Sequence, residues 1–244
     1  MRFARPLLYV FFIGAIAVLG FILWANATIG PEQEALAALQ SDEHVTVRLD
    51  PFIVFQPVNK KPTMGFVFYP GGRIDYRSYA APLHKIAAEG YLVILMPVRL
   101  NLALFDVNAA DRAIVAFPEI RQWVVGGHSL GGVAAAAYAG RAGPEALDGV
   151  ILWASYPAND TLRHTGLKVL SIYGSLDTDV VDRFKASRAN LPEDAEFVVI
   201  DGGNHSQFGH YGLQAGDPRA TITPLEQQKQ VVKSTVQFLK EIRQ

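Results

Sequence analysis

The sequence predicts an α/β domain with a mostly parallel central sheet of about eight strands, covered by helices on both faces and preceded by one N-terminal transmembrane helix. Short apolar runs alternate with helical segments along most of the 244 residues, which is the pattern of a parallel sheet with right-handed crossovers. Several runs, such as residues 91–96, are continuously apolar and suit strands that are buried on both faces. The length is sufficient for one large domain.

The chain opens with an uncharged apolar run over residues 7–24, which follows Arg2 and Arg5. A helix of this length approaches the roughly 30 Å of a bilayer core. The arginines predict a cytoplasmic N-terminus, with the rest of the chain outside the cytoplasm. Residues 25–27 read Ala-Asn-Ala, a pattern that a signal peptidase can cut. A form secreted after cleavage near Ala27 is therefore an alternative, and a buried helix is a third.

The domain is expected over residues 44–244, after an anchor or signal segment over 1–27 and a spacer over 28–43. Apolar runs predict the strands: residues 44–49, 52–56, 65–69, 91–96, the run from Trp123, 149–154, 167–173 and 196–201. Helical spacing predicts the helices: residues 78–89, one or two helices over 100–117, the run after Ser129, 182–190 and 224–242. The connection between residues 154 and 167 is too short for a cap domain, so we expect an open site.

Composition excludes several kinds of site. The net charge is −1, from 22 basic and 23 acidic residues spread along the chain, whereas a nucleic-acid surface needs clustered Lys and Arg. The chain has no cysteine, which excludes disulfides, thiolate metal sites and a cysteine nucleophile. No cluster of His, Asp and Glu in the sequence has metal-ligand spacing, so we expect neither a metal nor an organic cofactor.

The central motif is Gly127-His128-Ser129-Leu130-Gly131, which fits the G-x-S-x-G turn between a buried strand and a helix. A serine on such a turn has a strained backbone and an exposed hydroxyl. Side chains two residues before and after it would collide with the neighbouring strand and helix, so glycine is expected at both positions. The alternative is a glycine-rich turn that only packs tightly.

Two polar residues follow later strands at the same edge of the sheet. Asp177 comes after the strand over residues 167–173, and His205 comes after the strand over 196–201. Imidazole takes the proton of an attacking serine, and a carboxylate holds the imidazole in the required tautomer. We therefore predict Ser129, Asp177 and His205 as catalytic residues. The competing candidates are His210 for the base and Asp160 for the acid. In the alternative interpretation, Asp177 only begins a turn, and Asp179 or Asp182 caps the next helix.

Two backbone N–H groups must face the oxyanion that forms during acyl transfer. The N–H of Leu130 is one candidate, and Gly72, or otherwise Gly71, supplies the other from the loop after the strand over residues 65–69. Substrate-binding side chains are not identified. Structural or surface roles are expected for four histidines: His44, His84, His128 and His164. Arg73 and Asn101 lie in loops at the edge of the sheet that carries the site. A surface role is expected for both, and contact with substrate is the alternative.

Ser129, Asp177 and His205, in this order and after successive strands, resemble the α/β-hydrolase superfamily over about residues 44–243. Without a cap domain, the chain is similar to the small esterase-like and dienelactone-hydrolase-like members. Dienelactone hydrolases use a cysteine nucleophile, whereas this position is Ser129. The oxyanion loop also departs from the common His-Gly form, because it reads Tyr-Pro-Gly-Gly over residues 69–72.

The resemblance implies a serine hydrolase that cleaves carboxylic esters of small molecules through an acyl-enzyme on Ser129. The same residues also suit a thioesterase, an amidase or peptidase, an acyltransferase or a hydrolase of membrane lipids. A hydrolase-like protein that binds a ligand without turnover is an alternative of a different class. The sequence does not indicate the oligomeric state.

Overall fold

The computed structural model describes residues 4–177, 183 and 187–242. Its sheet has eight strands in the order β1-β2-β4-β3-β5-β6-β7-β8. β2 is antiparallel to both neighbours, and every pair from β4 to β8 is parallel. The strands are β1 Val45–Arg48, β2 Ile53–Pro57, β3 Met64–Tyr69, β4 Leu92–Leu95, β5 Gln122–His128, β6 Gly149–Trp153, β7 Lys168–Gly174 and β8 Glu196–Ile200. The predicted fold class is confirmed.

Helices cover both faces of this sheet, because every residue of β3, β4 and β6 is buried although successive side chains point to opposite faces. In the described residues the helices are α1 Ala4–Asn26, α2 Gln33–Ala37, α3 Ala80–Ala88, α4 Ala109–Ala116, α5 Leu130–Ala142 and α6 Pro224–Ile242. α5 packs on β3, β5 and β6. α3 and α6 pack against each other; α3 also packs on β2 and β4, and α6 also packs on β7 and β8.

The segment over residues 100–117 differs from the predicted helix or helix pair. Only α4 is an α-helix there, and two 3₁₀ turns precede it, Arg99–Asn101 and Ala103–Phe105. Leu100 and Asn101 have φ values of 54° and 51°, which an α-helix does not accommodate. The helix predicted over residues 182–190 lies mostly outside the described residues, which resume with a 3₁₀ turn at Arg188–Asn190.

The N-terminal helix α1 contains an 18-residue window, Tyr9–Asn26, with a mean hydropathy of 2.0. By length and composition it is able to cross a membrane, a property that secretory signal sequences share. Residues 28–43 contact the domain through a bridge between Ile29 and Ile74 and through α2, which packs on α3. The boundaries at residues 27 and 43 stay predictions.

Candidate active site

Ser129 lies at the sharp turn between β5 and α5, with φ 51° and ψ −122°. A non-glycine residue in this region is strained and persists only where its surroundings hold it. Its N–H donates to the carbonyl of Trp153 (3.0 Å), and its carbonyl accepts from the Ser155 hydroxyl (2.7 Å). The turn is therefore secured on both sides by β6 and the residues that follow it.

The glycines around Ser129 are required by close backbone approach. A Cβ at Gly131 would lie 2.3 Å from the carbonyl oxygen of Tyr69, at the end of β3. A Cβ at Gly127 would lie 2.5 Å from the carbonyl carbon of Gly131. Contacts this short force a backbone shift, so the expectation of glycine on both sides of the serine is confirmed. The close packing sets the N-terminus of α5 directly against the loop after β3.

Asp177 and His205 meet at the carboxyl ends of β7 and β8. The Nδ1 atom of His205 lies 2.7 Å from the Oδ2 atom of Asp177, and the carboxylate is buried. Ser129 lines the same cavity as this pair. Among the described contacts, no hydrogen bond joins the Ser129 hydroxyl to His205. Such contacts are often long before substrate binds.

The competing candidates lie elsewhere. His210 is directed to Glu32, with Nδ1 3.9 Å from a carboxylate oxygen. Asp160 is exposed and lies 4.0 Å from the ring of His164. Neither His210 nor Asp160 lines the cavity that contains Ser129. Asp179 and Asp182, the candidate caps of the next helix, lie outside the described residues.

The loop that carries His205 is held by two residues that the sequence reasoning did not identify. The carboxylate of Asp217 accepts from the N–H groups of His205 (3.3 Å) and Ser206 (2.7 Å). Gln227 of α6 accepts from the N–H of Asn204 (3.0 Å) and donates to its carbonyl (2.8 Å). Asp217 lies in an irregular loop, well after the end of β8. Its only local sequence signal is the following Pro218, which indicates a turn and not a contact with the His205 loop.

A buried relay of hydrogen bonds joins the serine turn to the loop after β3 and to His205. The Nε2 atom of His128 lies 3.1 Å from the carbonyl oxygen of His205, and Nδ1 lies 2.8 Å from the Tyr79 hydroxyl. Since a carbonyl only accepts, Nε2 carries the proton and Nδ1 accepts from Tyr79. The Tyr79 hydroxyl in turn accepts from the N–H of Gly71 (3.1 Å). His128 thus has a structural role, as expected, but at the centre of the site.

Burial lowers the pKa of His128 well below its usual value, and the neighbouring His205 lowers it further. The folded state therefore binds fewer protons than the unfolded state, in which a histidine has a pKa of about 6.5. The stabilisation from this neutral imidazole is complete above that pH and is lost as the pH falls.

We expect the His128→Gln variant, although less stable at neutral pH, to lose less further stability between pH 7 and pH 5 than the wild type. The reduction in slope is expected to reach up to about 1.4 kcal/mol per pH unit. Thermal unfolding at several pH values measures it. His164→Gln is the matched control, since this side chain is exposed, and it should follow the wild-type profile. Identical pH profiles for the wild type and His128→Gln would contradict the buried neutral state.

The sequence predicts Leu130 and Gly72, or otherwise Gly71, as the backbone donors to an oxyanion. Leu130 begins α5, so its N–H has no intrahelical partner. The N–H of Gly71 is engaged by Tyr79, and no hydrogen bond from the N–H of Gly72 to another described residue is found. A Cβ at Gly72 would lie 3.0 Å from the side chain of Leu130, so the two residues are neighbours. This arrangement favours Gly72 over Gly71 as the second donor.

The cavity at this edge of the sheet has a volume of about 460 Å³. It is lined by Ser129, Asp177 and His205 and by residues 214–218 of the irregular loop between β8 and α6. The remaining lining side chains are of mixed character: Leu130, Val133, Ala154, Ser155, Tyr156, Arg183, Gln214, Ala215, Asp217 and Pro218. The Arg183 guanidinium donates to the Tyr156 hydroxyl (3.3 Å). The cavity therefore offers both apolar and polar contacts to a small molecule.

One group of possible metal ligands lies outside this cavity. Glu32, Glu34 and His210 have ligand atoms within 4.8 Å of one another. Spacing in the sequence does not indicate this group, because His210 comes from a distant loop. Both carboxylates are exposed, and exposed acidic groups are common without an ion.

The alpha/beta hydrolase family model matches residues 65–229, more than half of the chain. No match was found among the curated proteins. Dienelactone hydrolase from Anabaena variabilis is similar, at 16% identity over 83% of this chain and 98% of its own, with a TM-score of 0.58. An esterase from Pyrobaculum calidifontis is 12% identical over 86% of this chain and 89% of its own, with a TM-score of 0.59.

A soluble variant of monoglyceride lipase from Saccharomyces cerevisiae, solved with a substrate analogue, is 11% identical over 84% of this chain and 96% of its own, with a TM-score of 0.56. At these identities the likeness shows the shared fold. The family model covers the strands and loops that carry Gly72, Ser129, Asp177 and His205. The chain belongs to the alpha/beta hydrolase family.

Proposed function

We propose that the chain is a serine hydrolase that cleaves carboxylic esters through an acyl-enzyme on Ser129. The observation that carries the proposal is the hydrogen-bonded pair of Asp177 and His205, which faces the cavity lined by a serine on a strained turn. The names of similar structures, an esterase, a dienelactone hydrolase and a monoglyceride lipase, support an ester as the substrate class.

The proposed reaction begins when the Ser129 hydroxyl attacks the acyl carbon and passes its proton to Nε2 of His205. Asp177 holds the proton on Nδ1 and stabilises the imidazolium that forms. The oxyanion accepts hydrogen bonds from the N–H groups of Leu130 and Gly72, and each such donor is typically worth about 3 kcal/mol of barrier.

The acyl-enzyme forms when the tetrahedral intermediate expels an alcohol, which takes the proton from Nε2 of His205. Water then attacks the acyl-enzyme while His205 accepts a proton from it. When the second intermediate collapses, the carboxylic acid leaves and the proton returns to the Ser129 hydroxyl. The two half-reactions use the same residues, so neither needs a metal or an organic cofactor.

We also propose that α1 anchors the domain in a membrane, with the N-terminus inside and the domain outside the cytoplasm. The apolar length of α1 and the preceding arginines support an anchor. Secretion after cleavage near Ala27 remains the alternative. Comparing the apparent mass of the membrane-bound and released forms with that of the full chain separates the two.

A panel of p-nitrophenyl esters of increasing chain length, matched thioesters and matched anilides tests the substrate class. We expect turnover of esters that exceeds turnover of anilides, with the Ser129→Ala variant as the blank for each compound. Faster turnover of thioesters would indicate a thioesterase, and faster turnover of anilides would indicate an amidase or peptidase. Binding of a panel compound with no turnover of any member would instead indicate a non-catalytic binding protein.

A further inference from the structure

Exposed apolar side chains continue from the end of α1 onto the segment after β4. The ring of Phe21 lies 5.8 Å from the ring of Phe105. Leu104 and Phe105 are 49% and 54% exposed, and Trp24 is similarly exposed. We call the set of Phe21, Trp24, Leu104 and Phe105 the apolar rim. It joins the surface of the candidate membrane helix to the surface of the folded domain.

The end of α1 is held to the domain by side chains from two loops. Arg73 donates to the carbonyl groups of Trp24 (2.9 Å) and Ala27 (3.0 Å), and its guanidinium lies 4.4 Å from the centre of the Trp24 ring. Asn101 donates to the side chain of Asn26 (3.2 Å). The two Arg73 bonds go to backbone carbonyl groups at the C-terminal end of α1, where a helix leaves carbonyl groups without intrahelical partners. The position of the rim relative to α1 is therefore defined by the fold.

The rim lies at the depth of a membrane interface if α1 spans the bilayer. Phe21 precedes the last residue of α1, Asn26, by five positions, which corresponds to about 7.5 Å along the helix. Amphipathic elements that lie in the interface bury their apolar side chains about 5–10 Å into the headgroup and acyl boundary. Phe105 packs at the level of Phe21, so it falls in this zone. Arg73 contacts Trp24 of the rim, and Arg99 precedes Leu104 by five residues. Both arginines suit the headgroup layer.

We propose that Leu104 and Phe105 insert into the bilayer beside α1 and place the active site against the membrane surface. The substrate is then an ester whose apolar chain lies in the bilayer while its ester group enters the cavity. This inference rests on the proposed hydrolase function and on the proposed anchor. It names the substrate class of the same site.

The rim is connected to the site by the intervening residues. The side chain of Leu102 lies next to Gly72, since a Cβ at Gly72 would be 3.5 Å from it. The 3₁₀ turn Ala103–Phe105 packs on α5, whose first residue is the candidate oxyanion donor Leu130. Leu102 and the turn Ala103–Phe105 therefore connect the rim to the residues that carry the two candidate oxyanion donors. The polar lining of the cavity, including Tyr156 and Arg183, suits the polar end of such an ester.

A bilayer suits the rim better than a second copy of the chain. The exposed apolar surface does not end at the rim but continues along α1, whose large apolar side chains are exposed from Tyr9 to Trp24. A hydrocarbon layer covers all of this surface at once. A second copy that covered only the rim would leave the rest of α1 in contact with water.

Single cysteines test the placement directly, because the chain has none of its own. The full chain carrying Phe105→Cys is labelled with a fluorophore and reconstituted in vesicles of phosphatidylcholine and phosphatidylglycerol. Val58→Cys is the matched control: Val58 is 51% exposed and follows β2 at the opposite end of the sheet, beyond the N-terminal end of β4.

We expect nitroxide-labelled lipids to quench the label at position 105 and not the label at position 58. Iodide in the buffer should quench in the reverse order. Quenching of both labels by iodide alone would overturn the insertion. A label at position 105 that neither quencher reaches would overturn it as well, because it would indicate cover by protein, such as a second copy.

Substrate access is tested with the double variant Leu104→Ser and Phe105→Ser. We expect hydrolysis of a long-chain ester embedded in the vesicles to fall by about tenfold or more, because two large apolar side chains no longer enter the bilayer. Hydrolysis of a water-soluble short-chain ester should stay within about twofold of the wild type. Val58→Ser should change neither rate.

An equal effect on both esters, or no effect on the embedded ester, would overturn the proposed substrate class. Failure of this inference is distinguishable from failure of the proposed function. If the wild type hydrolyses neither ester, the hydrolase proposal fails, whereas the quenching of position 105 still reports the placement of the rim.

Discussion

Ester hydrolysis by the Ser129→Ala variant is expected to fall by about 10⁴–10⁶-fold in kcat, because the acyl-enzyme can no longer form. The remaining activity would come from the oxyanion donors and from substrate binding. The fold should be retained, since the Ser129 hydroxyl is not required for the backbone hydrogen bonds that hold the turn. Steady-state kinetics with the most reactive ester of the panel gives the size of the effect.

Labelling with a fluorophosphonate probe checks the identity of the nucleophile. The wild type should be labelled and Ser129→Ala should not. Ser155→Ala is a matched control, because Ser155 lines the same cavity and its hydroxyl is bonded to the Ser129 carbonyl. This variant should still be labelled. Persistent labelling of Ser129→Ala would assign the nucleophile to another residue.

The second large effect is expected for Asp177→Asn, which should lower kcat by about 10⁴-fold. The carboxylate of Asp177 accepts from Nδ1 of His205 at 2.7 Å, which leaves Nε2 unprotonated and able to act as a base. An amide in its place is able to donate to Nδ1 and thereby favours the tautomer with the proton on Nε2. That tautomer cannot accept the proton of Ser129. The loss should appear in kcat rather than in KM.

Asp160→Asn provides the control for this assignment. Asp160 follows the preceding strand and was an alternative acid from the sequence, but it is exposed and lies beside His164. We expect its replacement to leave kcat within about twofold of the wild type, as for surface changes generally. Loss of activity in Asp160→Asn together with normal activity in Asp177→Asn would reverse the assignment.

The fold was readable from the sequence because its signals are local. A buried parallel strand is a continuous apolar run, and a turn that admits only glycine shows glycine, as at Gly127 and Gly131. The segment over residues 100–117 was misread because Leu100 and Asn101 adopt left-handed backbone conformations. Asn101 bonds to Asn26 of α1 and to Arg73 in the loop after β3, and sequence periodicity does not report such contacts between distant segments.

In the candidate site, too, some residues were identified from local sequence signals and others were not. Ser129, Asp177 and His205 were identified from their positions after successive strands, and the structure brings Asp177 and His205 into contact. Their catalytic roles stay predictions. The groups that hold them were not identified: Asp217 binds the His205 loop across an irregular connection, and His128 joins that loop to Tyr79.

By itself, the sequence determined the order of the eight strands, the glycine-bounded serine turn and the apolar N-terminal run. These depend on short-range sterics and on the periodicity of burial, both of which are written in neighbouring residues. The tertiary structure alone decided which N–H of the Gly71-Gly72 pair is available, because Tyr79 occupies the first. It also decided that Phe105 lies level with Phe21 of α1. Both results depend on contacts between segments that are distant in the chain.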